Sequence, residues 1–232
     1  MVTDIQVISF DADQTLFDFN RVMREALQKV SLFLADEAKV QCEWQELRRT
    51  RDRIERRFEG QAVDMLTLRR LSFEEVLSDH PDRQELVEKA MSIFTTHRFG
   101  NHYFCPDAVK VLTELKKTYR LALLTNGNSD PTKAGIGELF DVILLGENFA
   151  YKKPDPRIFE ALMSTLKVSD ASRIMHVGDS LTDDVGGANQ AGLTSVWFNP
   201  RALNNQTNIT PDHEIAKLRE LQECLMIGDQ GT

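Results

Sequence analysis

The chain has 232 residues, 41% of them hydrophobic and 28% charged, enough apolar material for one large domain or a domain carrying an insert. Its formal net charge of −8 argues against a nucleic-acid polymer as main partner, because such binding needs a basic surface. Cys42, Cys105 and Cys224 form no CxxC pair and no zinc spacing, so they read as reduced thiols of a cytoplasmic protein. Met1-Val2-Thr3-Asp4 has no basic leader pattern, and no run approaches the ~20 apolar residues that span a bilayer, which predicts a soluble protein with no membrane partner.

In chain order, Val7-Ile8-Ser9-Phe10 reads as a buried strand that leaves its sheet at Asp11, since aspartate is a poor strand residue. Helical periodicity then takes over to about residue 99. Val22, Ala26, Leu27, Val30, Phe33 and Leu34 make one amphipathic stripe, and the pattern continues for about four helices with no strand. From Pro106 the pattern alternates. A helix over 107–118 precedes a strand at 121–124, and a short helix over 133–139 precedes a strand at 142–145. Helix 157–166, strand 173–177, helix 183–190 and strand 195–198 follow, then a loop at 204–210 and a last helix over 216–225. Alternation of this kind predicts an α/β fold, a parallel Rossmann-like sheet with helices on both faces. The helical block is an insertion, because strand one alone could not form a stable unit. The expected division is a core of 1–17 and 101–232 and an all-helical insert of 18–100.

Four predicted strands end in polar residues: Asp11 and Asp13, Thr125 and Asn126, Lys153 in the loop after the third, and Asp179 with Asp183 and Asp184. A parallel sheet gathers all of them at one edge. Carboxylates crowded in this way need a cation. Oxygen ligands without cysteine or histidine suit a hard ion, with Mg²⁺ favoured by its habit of taking few carboxylates together with phosphate and water. The Lys153 ammonium and main-chain N–H groups make a receptacle for a phosphoryl oxygen.

Phe10-Asp11-Ala12-Asp13-Gln14-Thr15-Leu16, Leu124-Thr125-Asn126, Lys153-Pro154-Asp155-Pro156 and Gly178-Asp179-Ser180-Leu181-Thr182-Asp183-Asp184 resemble the four motifs of the haloacid dehalogenase-like (HAD) hydrolase superfamily, in order and in spacing. The insert corresponds in position to that family's helical cap. The resemblance implies that Asp11 is the nucleophile that forms an aspartyl-phosphate and that Asp13 is the general acid and then the base. It implies phosphate binding by Thr125, Asn126 and Lys153, with the metal at Asp11, the carbonyl of Asp13, Asp179 and Asp184. Asp184 aligns better than Asp183 with the second acid of the last motif, and which of the two supports the metal stays open. An aspartate at position 13 points to phosphate esters, since members cleaving carbon–halogen bonds lack it. Gln14 is a departure, because glycine is commonest there.

The expected function is therefore a Mg²⁺-dependent phosphomonoesterase acting on a small phosphorylated metabolite, as a monomer or homodimer. The wording of the motifs resembles bacterial nucleotide phosphatases, so a nucleoside monophosphate is the first candidate. A phosphomutase on a sugar phosphate and a non-catalytic binding protein are the alternatives. Six arginines between Arg48 and Arg57 read as a solvated helix, with Asp52 and Glu55 available for pairing. Trp44, Phe58 and Phe73 read as packing of the helical block, and His176 as a buried, hydrogen-bonded strand residue.

Overall fold

The structure is a computed structural model and describes residues 4–58, 61 and 63–227; the Met1–Thr3 part of the leader reading lies outside them. These residues form two compact units. One holds the chain up to Asp18 and from Phe104 onward, and the other is Phe19–Tyr103. No helix among the described residues is long and apolar enough to cross a membrane.

The first unit is built on a six-stranded sheet in the order β3-β2-β1-β4-β5-β6. Its strands are β1 (Val7–Phe10), β2 (Arg120–Thr125), β3 (Val142–Leu145), β4 (Ile174–Gly178), β5 (Thr194–Phe198) and β6 (His213–Ile215), every pairing parallel. β1 is central and buried on both faces, which is why its run carries no alternating polar residues. Period two still sorts its side chains. Ile8 and Phe10 join Leu121, Leu123, Met175 and Val177 in one core, whereas Val7 joins Ala122, Leu124 and Ile174 in the other. The first core is closed by Val111, Leu112 and Leu115, the second by Ile158, Phe159 and Leu162.

In the second unit, helices α1 (Phe19–Asp36), α2 (Trp44–Arg57), α3 (Met65–Val76) and α4 (Arg83–Gly100) bury Leu27, Leu34, Leu47, Phe73 and Leu77. Trp44 packs against that core and Phe73 lies in it. Arg53 and Arg57 both reach Glu75, and Arg51 pairs with Asp52 and with Glu55 one turn on, so these arginines serve the unit's own surface. Arg69 is buried, donates to the Leu47 carbonyl at 2.9 Å and lies 5.1 Å above the Phe94 ring.

Helices α5 (Ala108–Leu115), α6 (Pro156–Leu166), α7 (Gly187–Ala191) and α8 (Leu221–Ile227) complete the described set. α6 starts as its sequence predicts. Pro156 occupies the first turn, and Asp155 caps it by accepting from the Arg157 N–H at 3.0 Å. Several expectations are corrected. The helix expected over 107–118 is the shorter α5, Ala108–Leu115, with Pro106 in the turn ahead of it. The segment 133–139 is a run of turns and a single 3₁₀ turn, Gly137–Leu139, because Gly135 takes φ +78 and Gly137 packs against Thr132. The helix expected over 183–190 opens as a wide π-type turn, Leu181–Gly186, before α7. The final helix is preceded by β6, a strand too short to leave a periodic signal.

Candidate active site

Parallel strands place their carboxyl ends on one edge, and β1 and β4 meet where the order of the sheet reverses. Asp11 leaves β1 there, its N–H donating to the Val177 carbonyl at 2.8 Å. Thr125 ends β2, Lys153 stands in the loop after β3 ahead of a cis Pro154, and Asp179 and Asp184 follow β4. Asp11, Thr125, Lys153 and Asp184 are all buried. The Lys153 ammonium donates to Asp11 Oδ1 at 2.7 Å, to Asp184 Oδ1 at 2.6 Å and to the Leu124 carbonyl at 2.7 Å, which uses its three hydrogens. Asp11, Asp179 and Asp184 each bring one carboxylate oxygen within 4.8 Å of the other two. Asp183, next in sequence, is half-buried and is not one of the three.

One ammonium among three carboxylates sets an order of ionisation. Burial opposes the charge on Asp184, yet Lys153 and a hydrogen bond from His176 outweigh it and hold this carboxyl below its usual range. Burial likewise opposes the Lys153 charge, and Asp11 and Asp184 overcome it, keeping the ammonium above its usual range. Asp11 loses this competition. Burial pushes its carboxyl well up, and the attraction of Lys153 only partly offsets that. Asp179 is pushed up to about 6 by burial and then by Asp184. A set of hard oxygen donors in which two carboxyls resist ionisation suits a divalent cation.

Several further side chains hold this arrangement. His176 is the buried, hydrogen-bonded strand residue that was expected. It lies in register with Ser9 on β1, and its Nδ1 stands 3.1 Å from Ser9 Oγ and its Nε2 3.1 Å from Asp184 Oδ1. The Ser180 N–H donates to the other Asp184 oxygen at 3.0 Å. Trp197, opposite Gly178 on β5, donates its indole N–H to the Asp179 carbonyl at 3.0 Å. Asn126 braces Lys153 from both sides. Its Nδ2 donates to the Lys153 carbonyl at 2.9 Å, and its Oδ1 accepts the Lys153 N–H at 2.7 Å. The expectation for Asn126 was phosphate binding, and this bracing of Lys153 is a second task for its side chain. Asp13 lies half-buried beside the cluster, with Oδ1 accepting from Ser129 Oγ at 2.5 Å.

Gln14 takes φ +66, in the left-handed region where a side chain costs about 1 kcal/mol or more, and this accounts physically for glycine being the easier residue there. Gly178 is required for a different reason, since a Cβ on it would lie 2.1 Å from Asp184 Cγ. Gly178→Ala is expected to destabilise the protein by about 1–3 kcal/mol, because Asp184 or the strand must shift. Thermal denaturation of the variant reads this directly, and an unchanged Tm would refute the tight contact.

Residues 5–192 match a family model described as haloacid dehalogenase-like hydrolase. The chain is 26% identical over 230 residues to pyrimidine 5'-nucleotidase YjjG of Escherichia coli (strain K12), covering 94% of this chain and 96% of that one. It is 28% identical over 237 residues to N-acylneuraminate-9-phosphatase of Mus musculus, covering 95% and 94%. Among solved structures, a 2-haloacid dehalogenase from Pseudomonas syringae pv. Tomato DC3000 superposes with a TM-score of 0.78 at 30% identity, covering 96% of this chain and 99% of that one. Similarity that runs from the first strand through the last of the four motifs involves the whole carboxyl-end machinery rather than one loop, and this chain is a member of the haloacid dehalogenase-like hydrolase family.

Proposed function

We propose that the protein is a Mg²⁺-dependent phosphomonoesterase that hydrolyses a primary phosphate ester of a small metabolite, a nucleoside 5'-monophosphate first among them. The observation that carries this reading is the buried Asp11–Lys153–Asp184 cluster with Asp13 beside it. Asp11 attacks phosphorus, the bond to the ester oxygen breaks with its electron pair, and Asp13 gives that oxygen a proton. Asp13, now a carboxylate, takes a proton from water as the water oxygen attacks phosphorus, and the pair from the broken bond returns to Asp11. Lys153 holds Asp11 in place and offsets charge on the transferred group, while Thr125 and the Asn126 N–H hold phosphoryl oxygens. Asp11, Asp179, Asp184 and the Asp13 carbonyl would hold Mg²⁺, which when bound supplies the charge that lets Asp11 ionise and neutralises phosphoryl oxygens. The helical unit serves as the substrate-selecting cap and the sheet unit as the catalytic core.

A halide leaves without needing a proton, so a carboxyl held beside the nucleophile favours an ester over a carbon–halogen bond. The names of the two relatives point to 5' and 9 phosphates, both esters of terminal carbons. A screen of p-nitrophenyl phosphate, nucleoside 5'-monophosphates, sugar phosphates and 2-chloropropionate, with Mg²⁺ or EDTA, tests the reading. Phosphate release that EDTA abolishes is expected. Halide release without phosphate release, an isomerised sugar phosphate, or no turnover above an Asp11→Asn control would each overturn it.

Cation binding should also depend on pH, and the sign follows from the carboxyls. Asp179, pushed up to about 6, binds metal only when ionised, so affinity falls as pH drops through that value. Each displaced proton gives up to about a tenfold loss per pH unit, and Asp11, also pushed up by burial, adds its own to that of Asp179. Calorimetric Mg²⁺ titrations between pH 5 and 8 on the wild type and Asp179→Asn read the slope, and a wild-type profile that is flat, or that the variant reproduces, would exclude Asp179 as a ligand.

A further inference from the structure

The loop that follows β2 is held unusually closely against the acid. The Gly127 N–H donates to Thr125 Oγ1 at 3.1 Å, and its carbonyl accepts the Gly146 N–H at 3.1 Å. Gly146 in turn has no room for a side chain, since a Cβ there would lie 2.4 Å from the Asn126 carbonyl oxygen. The start of the loop is therefore pinned at Gly127, through its N–H and its carbonyl, with Gly146 packed against Asn126 beside it. Ser129, 9% exposed, donates to Asp13 Oδ1 at 2.5 Å across 116 positions of sequence. Gly127 lies against the other oxygen, where a Cβ would come within 2.9 Å of Asp13 Oδ2.

The geometry points to Ser129 as a positioning residue for Asp13: its hydroxyl, with Gly127 opposite, sets the plane of the Asp13 carboxyl and so the direction in which that carboxyl passes a proton. This rests on the reading of Asp13 as the acid for the leaving oxygen. Proton transfer is sensitive to aim because the donor must lie within hydrogen-bond reach of the departing oxygen while its bond to phosphorus breaks. Rotation of an aspartate carboxyl about its last bond is broad rather than fixed in one narrow well. A donor from a rigid neighbouring loop removes that freedom. Gly127 then has a steric reason for being glycine, since even alanine would push the carboxyl out of the plane that Ser129 holds.

The test uses the leaving group as its readout. A p-nitrophenolate departs with little need of a proton, whereas an alkyl alcohol departs poorly without one. Values of kcat/KM are measured for p-nitrophenyl phosphate and glycerol 1-phosphate with the wild type, Ser129→Ala, Ser129→Thr and Asp13→Asn. In Ser129→Ala the loss on the alkyl ester should exceed the loss on p-nitrophenyl phosphate by about tenfold, part of the usual acid–base contribution. Ser129→Thr, which keeps the hydroxyl, should bring that ratio back toward the wild-type value. Calorimetric Mg²⁺ affinity should stay at the wild-type level in Ser129→Ala, since the hydroxyl does not touch the three clustered carboxylates. Equal losses on both esters, no loss on either, or a weakened Mg²⁺ affinity that accounts for the loss would overturn the assignment. The Asp13→Asn arm separates the two levels of the argument. A steep leaving-group dependence there with a flat one in Ser129→Ala rejects Ser129 alone, while a flat one there rejects Asp13 as the acid and the inference with it.

Discussion

Asp11→Asn should abolish turnover, with phosphate release falling at least about 10⁴-fold, as expected when a nucleophile that both chemical steps depend on is removed. The amide keeps the size of the carboxyl and an oxygen that can still accept from Lys153, so the loss cannot be blamed on collapse of the site. Stability should move the other way. The Asp11 carboxyl is pushed well up in the folded protein, chiefly by burial. A carboxyl shifted upward favours folding at low pH, and that contribution disappears as pH rises from the ordinary carboxylate value through the folded one. The metal-free wild type should therefore lose stability across that window, and Asp11→Asn should show a flatter profile and a Tm at neutral pH no lower than wild type. Thermal melts in EDTA from pH 4 to 8, run beside the phosphate assay, check both parts. A variant that retained a tenth of wild-type turnover would remove Asp11 from the nucleophile role.

Lys153→Ala should damage both activity and stability. The ammonium is buried and donates to two carboxylates and a carbonyl, so its removal strands three acceptors in a dry site. Breaking a buried ion pair from one side typically costs about 3–5 kcal/mol, because the partner charges are left unpaired. Loss of one preorganised donor to a transferring group costs about 10²–10³ in kcat. The stability loss should depend on pH. Asp184 owes its low carboxyl range largely to Lys153, so without the ammonium its affinity for a proton rises. The variant should be closest to wild type in acid and furthest from it near neutral pH, where Asp184 is ionised and the wild-type ammonium still keeps its proton in the folded and unfolded chain alike. Lys153→Arg should not rescue it, since a planar guanidinium cannot point three donors at the positions that a tetrahedral ammonium reaches. Chemical denaturation at two pH values, with kcat measured at saturating substrate, tests this. An alanine variant with the wild-type Tm would contradict the geometry.

Legibility differs sharply between the parts of this site. Val7–Phe10 and Arg120–Thr125 were readable because a strand buried on both faces leaves an uninterrupted apolar run, and Asp11 and Thr125 were readable because the run stops at them. The helical unit was readable because each of its helices buries one stripe. β6 was not, because three residues carry no periodicity and its partner Val196–Phe198 is supplied from elsewhere in the sheet.

Local periodicity was enough for the first five strands, the helical block and the chemical types gathered at one sheet edge, since parallel strands share a carboxyl end. Tertiary structure alone decided which of two adjacent aspartates, Asp183 or Asp184, joins the cluster, because the wide turn at Leu181–Gly186 sets the direction of each side chain and leaves no trace in composition. It also decided the partners that hold the cluster: His176 on Asp184, Trp197 on the Asp179 carbonyl and Ser129 on Asp13. These bonds join residues brought together by sheet register and loop packing, and hydrogen bonds of that kind are made only once the chain has closed on itself.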